Sequence, residues 1–556
     1  MGLFNQFPFT NFHEMNLDWI ITTITEIKSE IGNIPKEIDE YLKSDEFQLK
    51  LQTWVNEYLM KSGSPVPLKL FGAKGDGTTD DSAAFEIAYK LATKMANFNT
   101  SNAWQNHTNG ALYLGTGRFK ITADNPLAIK RTDSTTGGSV WGVRIYGDGP
   151  FASQLFYSPE SSKSELHYFY KQTELYAGMI GASFENIGLL IDENTDGNFF
   201  NVNSVANNTT QGWYFTNCNL IGNRTATVLK TNGEYNDSEF TFTNCRIREV
   251  ATVVDTSEGS YENLHYIFNS THMEHIFSDC FKTGGGSGIF VNDCSLLFSD
   301  NSEPEAAIIN IANSGVTGGE YSFTNVRAEF HGSSIIYKES AYNRAIVSFR
   351  NCRLGVTYTS NSKIKIPIKS GTMLSIYDSL LCGVKYGEKT ETPFLYLYDD
   401  LTSPSDLGAI MISDCMYYAG MPMTSFSQVN KSGIPIVLKN IIRSGSVLET
   451  DQIISSGGNR YPQMQPLTIS DTTVSHRTYN LTCYFMIVLF GSNLPDTIRL
   501  SSNVIDIRAI NTDSKCRIYI PSSYPNEYNP LAFAKSNMSI TSGFVIFSCT
   551  PKAFIQ

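Results

Sequence analysis

No stretch of this chain is apolar for the ~20 residues that a membrane-spanning helix needs. The most apolar run, at 484–490, has the length of one buried strand. No block of lysine or arginine occurs, and the net charge is −12 over 556 residues. With little to neutralise phosphates, a nucleic-acid partner is not expected. The N-terminus has no basic region followed by an apolar core, so no secretion leader is read there. Gln6 stands where a myristoylation signal needs Ser or Thr. None of the ten cysteines forms a Cys-x-x-Cys pair, which speaks against a zinc ribbon or a redox dithiol, and no cofactor is expected. Charged residues make up only 17% of the chain, while Gly, Ser, Thr, Asn and aromatics are plentiful. That balance suits an all-β protein with many turns.

The densest local signal lies at 71–82, Phe-Gly-Ala-Lys-Gly-Asp-Gly-Thr-Thr-Asp-Asp-Ser. Gly72, Gly75 and Gly77 supply tight turns with positive φ. Asp80 and Asp81 stand where a helix cap belongs, ahead of an apolar stripe at Ala84, Ile87, Ala88, Leu91, Ala92 and Met95. No lysine follows the last glycine, so this is not a phosphate-binding loop. Asp76, Asp80 and Asp81 have the chemistry for calcium, but caps and turns claim aspartates in this pattern first. The segment resembles the opening signature of the pectate-lyase-like β-helix family, often found in bacteriophage tailspikes. The resemblance continues at 111–119, where Gly115 replaces the usual proline, and at 143–149, similar to the family's first full coil. It covers roughly the first quarter of the chain.

The middle of the chain repeats itself. An aromatic or aliphatic residue is followed two positions on by Asn, Asp or Ser, and then usually by Cys or an aliphatic. The inward residues are Phe184, Phe215, Phe242, Phe268, Val291, Phe323, Phe349, Ile376, Ile412 and Leu438. A period of about two dozen residues or a little more marks a solenoid, whose units bury their apolar faces on one another. The Asn or Asp falls at a corner, where it can bond its own backbone. Cys218, Cys245, Cys294, Cys352 and Cys415 then form one interior column rather than disulfides or ligands. The expected fold is all-β: a right-handed parallel β-helix over 63–445, a helical N-terminal segment over 1–62, and a β-rich, sandwich-like C-terminal domain over 446–556.

Within 1–62, Leu17, Ile20, Ile24, Ile27, Ile31, Ile34 and Ile38 follow alternating spacings of three and four. Isoleucine at both seam positions favours trimers, so a homotrimer is expected. Gly32 and Pro35 interrupt the seam, which leaves a small bundle within one chain as the alternative. A third helical piece carries Phe47, Leu51, Trp54, Val55 and Tyr58. Ahead of it, residues 4–19 hold four phenylalanines in a segment too short to bury them, as if to dock into a partner. This segment looks like the attachment peptides of phage appendages.

The resemblance implies a virion component made in the host cytoplasm. Residues 1–20 would hold a tail or connector protein, and the shaft would meet host cell-surface polysaccharide or teichoic acid. A depolymerase would need two carboxylates flanking the scissile bond. Two positions beyond each corner, an outward stripe reads Asn219, Arg246, His272, Ser295, Arg327 and Arg353. Four beyond lie Arg248, Glu274 and Glu329. Glu274 and Glu329 are the candidate catalytic carboxylates, two rungs apart at about 9–10 Å. Arg246, His272, Arg327 and Arg353 are candidate binders of an acidic sugar or phosphate. A bulge between Ser270 and Glu274 would turn one carboxylate away. Asp192, Glu193, Asp255, Glu258, Asp399 and Asp400 are looser candidates, read as loop residues. A solvated face with cross-strand charge pairs, a binding-only spike, a hydrolase or lyase, and a free pectinase-like enzyme all stay open.

Overall fold

A computed structural model describes residues 44–96, 110–130, 140–159, 167–202, 209–231, 237–258, 265–284, 286–313, 318–331, 334–339, 344–355, 364–367, 371–381, 395–398 and 409–418, together with short strands between 436 and 519. The aromatic peptide at 4–19, the isoleucine seam at 17–38, and Asp399 with Asp400 lie outside the described residues. No described helix is long and apolar enough to cross a membrane.

The chain forms two compact units, 1–229 with 235–247, and 230–234 with 248–556. In the first unit, one parallel sheet runs Val66–Pro67, Ala111–Tyr113, Arg144–Tyr146, Ser183–Glu185, Thr210–Thr216, Asp237–Thr243. A second runs Asp76–Asp80, Gly117–Ile121, Ser153–Tyr157, Gly188–Ile191, Asn219–Ile221. A third pairs Tyr168–Lys171 with Asn198–Asn201. The second unit repeats this plan. Its first sheet stacks Tyr266–Asn269, Gly288–Asn292, Glu320–Thr324, Ile346–Arg350, Met373–Tyr377 and Ala409–Ser413. Its second begins His272–Ile276, Ser295–Phe298, Arg327–Glu329, Arg353–Leu354. Its third begins Thr252–Asp255, Phe281–Thr283, Ala307–Ile311, Ile335–Glu339. From Arg144 to Tyr398 each turn of chain gives one strand to each sheet, and the whole is a right-handed parallel β-helix.

The register follows the repeat. Phe184 sits opposite Phe215, and Phe215 opposite Phe242, with rings stacked at 4.7 and 4.4 Å. In the second unit Phe268, Val291, Phe323, Phe349, Ile376, Ile412 and Leu438 align one above another. Burying each such side chain contributes about 1.5–3 kcal/mol. Cys218, Cys245, Cys294, Cys352 and Cys415 are buried and unbridged. Each thiol donates to a carbonyl one rung back, as Cys218 does to Phe184 at 3.2 Å and Cys352 to Phe323 at 3.3 Å. Burial pushes the Cys352 and Cys415 thiols up to about 11, so they are inert near neutral pH.

The corners differ from expectation. Asn186, Asn217, Asn244, Ser270, Asp293, Asn325, Asn351, Asp378 and Asp414 all take the left-handed conformation, with φ between 48 and 56°. Asn and Asp tolerate it better than other side-chain-bearing residues. Several amides bond the neighbouring corner instead of their own backbone. Asn217 donates to Asn186 at 2.7 Å, Asn325 to Asp293 at 2.8 Å, and Asn351 to Asn325 at 2.6 Å.

At the N-terminal end, Gly72, Gly75 and Gly77 have φ of 91, 65 and 79°. The Asp81 carboxylate accepts from the Lys74 and Gly75 N–H groups. Asp80 accepts from the Ser82 N–H and the Thr122 hydroxyl. Asp76 takes the N–H and O–H groups of Thr78 and Thr79. The aspartates thus close a turn and a helix start. The helix Ser82–Ala96 buries the expected stripe except Ile87, which is half exposed.

After 445 the described strands are parallel, not paired as a sandwich would pair them. Thr478–Thr482 lies beside Ile436–Lys439, and Thr497–Ser502 and Arg517–Tyr519 follow in the same sheet. Leu467–Ser470, Met486–Phe490 and Asp506–Ile510 form another parallel set. The corner signature is lost there, but a parallel ladder needs only backbone pairing.

Candidate functional site

The second sheet of the second unit carries the expected stripe. His272 is in register with Ser295, Ser295 with Arg327, and Arg327 with Arg353. His272, Arg327 and Arg353 are exposed, because Met273, Ala328 and Leu354 beside them point into the core. The next outward column reads Glu274, Leu297, Glu329. One rung therefore separates the two glutamates, at about 9–10 Å between strands. Both are half buried. Glu329 is ion-paired with Arg327 on its own strand, and His272 hydrogen-bonds the Ser295 hydroxyl at 2.7 Å.

Arg246 belongs to the first unit; its N–H donates to the Cys218 carbonyl at 2.8 Å and its side chain is half buried. Asn219 departs from the expected stripe. Its position is outward by register with Gly188, yet it is only 2% exposed, and both its amide atoms lack a hydrogen-bond partner. Outward orientation on a strand does not guarantee exposure once neighbouring chain covers the face. Asp192 accepts from Ser158 and Asn194, Asp255 from Ser257, and Glu258 pairs with Lys230. These acids serve the ends of strands.

Two residues were missed by strict alternation. Glu249 and His275 adopt φ of 53 and 54°. Between Glu274 and Ile276 the pairing shifts by one residue, so His275 is the extra residue of a bulge. It falls after Glu274, so Glu274 keeps its outward position. The bulge lets Ile276 turn inward opposite Phe298. The His275 imidazole meets the Glu249 carboxylate at 2.8 Å, with the Arg248 guanidinium 3.9 Å from the same oxygen. The Arg248 Nε is buried without a hydrogen-bond partner. The signal was present in sequence: Ile247 and Val250, like Met273 and Ile276, are three apart where a regular strand would space them by two. The face thus presents two carboxylates, an imidazole held by a third, and several cations. That set can bind an acidic sugar and move protons.

No family model matches the chain, and no curated protein does. Solved structures do. The catalytic unit of a GH87 α-1,3-glucanase from Streptomyces thermodiastaticus is 12% identical, with 69% of each chain covered and a TM-score of 0.40. The pre-mature gene product 12 of bacteriophage phi29 is 11% identical over 84% of this chain and 71% of that one, TM-score 0.33. The phiAB6 tailspike, solved with oligosaccharides of Acinetobacter baumannii surface polysaccharide, is 13% identical over 71% and 50%, TM-score 0.25. With TM-scores this low, none bears on what this chain acts on.

Proposed function

We propose that the chain is a phage tail appendage that binds host cell-surface glycan through the outward face of its β-helix. The observation that carries this is the in-register column of His272, Ser295, Arg327 and Arg353 beside Glu274 and Glu329. A cationic, carboxylate-bearing stripe fits an acidic polysaccharide or a teichoic acid. The opening signature at 71–82 adds the resemblance to tailspikes. The chain works as a homotrimer anchored to the virion by residues 1–20. Exposed Trp54 and Tyr58, stacked at 6.0 Å on the helix Asp45–Ser62, give that assembly an unburied aromatic face.

A second reading adds hydrolysis. Two outward carboxylates about 9–10 Å apart lie near the upper edge of the inverting range, where a water fits between acid and base. Glu274→Gln and Glu329→Gln test it against reducing-end release from wall and capsule fractions. Loss of release with retained cell binding supports hydrolysis at this pair. Full release by both variants removes the assignment. Cell binding with no release from any fraction, even by the natural chain, leaves the binding role alone.

A further inference from the structure

The first sheet of the first unit presents a different surface. Its outward positions fall in two columns. One reads Arg144, Ser183, Tyr214, Thr241; the other reads Tyr113, Tyr146, Glu185, Thr216, Thr243. Five strands at ~4.8 Å span about 19 Å, the length of a short oligosaccharide. The Tyr113 and Tyr146 rings lie 5.1 Å apart, tilted by 34°. The Arg144 guanidinium sits over Tyr146, 4.6 Å from its centre, and grips Glu185 through two bonds of 3.0 and 2.6 Å. Ser183 donates to the same carboxylate. The Tyr113 and Thr116 hydroxyls donate to the two oxygens of Asp148 at 2.7 and 2.8 Å. Tyr214 is 51% exposed, between inward-facing Trp213 and Phe215.

Nothing in the sheet's own packing requires this array. Arg144, Ser183, Glu185, Tyr113 and Asp148 are already held in place, so little ordering cost remains for a ligand. The exposed Tyr214 ring gives an apolar surface for the C–H face of a sugar, and the fixed carboxylates accept from its hydroxyls. The Arg144 charge is taken up by Glu185, and Asp148 is held by the Tyr113 and Thr116 hydroxyls. Among the described residues of these two columns no surplus cation is left for a phosphate or a uronate. We infer that this face binds an uncharged oligosaccharide, a ligand class unlike that of the cationic stripe in the second unit. The inference rests on the glycan-binding reading for the general class of partner.

The test uses the full-length protein and a partial hydrolysate of the surface polysaccharide of a cell to which it adheres, split by anion exchange into neutral and anionic fractions. Calorimetry should show binding of neutral oligosaccharides that weakens tenfold or more in Tyr146→Ala and Tyr214→Ser, with anionic binding unchanged. Glu185→Gln, which preserves shape, guards against misfolding and should also weaken the neutral ligand. If the anionic fraction binds and the neutral one does not, this inference falls and the general reading stands. If neither fraction binds, both fall. Equal neutral binding by all variants also overturns it, as does protection of Tyr214 from nitration in the ligand-free protein, which would mark the face as a contact between copies.

Discussion

An asparagine at each corner meets two demands at once. It accepts a left-handed backbone that most residues take at a cost of about 1–2 kcal/mol, and its amide links adjacent rungs. Asn325 does both: its φ is 56°, it donates to Asp293, and it accepts from Asn351. Asn325→Gly keeps the backbone and loses the links, at about 1 kcal/mol. Asn325→Ala loses both, at about 2–3 kcal/mol. Denaturant unfolding should rank the three in that order; equal stability of the two variants would deny the backbone a role. Asp76 offers a pH prediction. Hydrogen bonds from Thr79 and Thr78 hold its carboxyl well below the usual range. A depressed acid stabilises the fold fully above its unfolded value of about 3.9 and loses that contribution as pH falls further. Asp76→Asn should flatten the decline in melting temperature between about pH 4 and 2 relative to the natural chain.

The elements show what sequence can and cannot disclose. Phe215 above Phe242, with Asn217 and Asn244 at their corners, was readable because both periods, two within the strand and one rung along the chain, are fixed by geometry. The bulge at His275 and the left-handed backbone at Glu249 were not read, because one extra residue reverses which face every later side chain takes. Burial at Asn219 was hidden because alternation along a strand fixes which face a side chain takes, not whether that face meets solvent. The strands after 445 lack any corner motif, so their parallel pairing was not legible even where the β-rich character was. At the bulge, His275→Gly relieves the left-handed strain, worth about 1 kcal/mol, and loses a partly exposed ion pair worth ~0–1 kcal/mol. Melting should therefore be unchanged or slightly raised. If glycan binding drops meanwhile, the His275–Glu249 pair serves function; unchanged binding would make the bulge purely architectural.

For the whole molecule, assembly can be tested apart from folding. Native mass measurement at micromolar concentration should give three copies; a stable monomer would end the trimer proposal. Removing residues 1–19 should leave a folded trimer that no longer enters particles. Normal incorporation would refute the docking role. The start of the coil has its own consequence. The helix Ser82–Ala96 packs against Val66–Pro67, Ala111–Tyr113 and Gly117–Ile121. It lies so close at Gly110 that a Cβ there would sit 2.1 Å from the Ala92 carbonyl oxygen. The outermost strand of the first sheet at that end, Val66–Pro67, is two residues long and ends in proline. A short edge under a helix offers no template to a foreign strand. In this sheet further strands pair only on the far side of Val66–Pro67. The first sheet is therefore closed at one end and open to growth only at the other, a zipper with its stop sewn in.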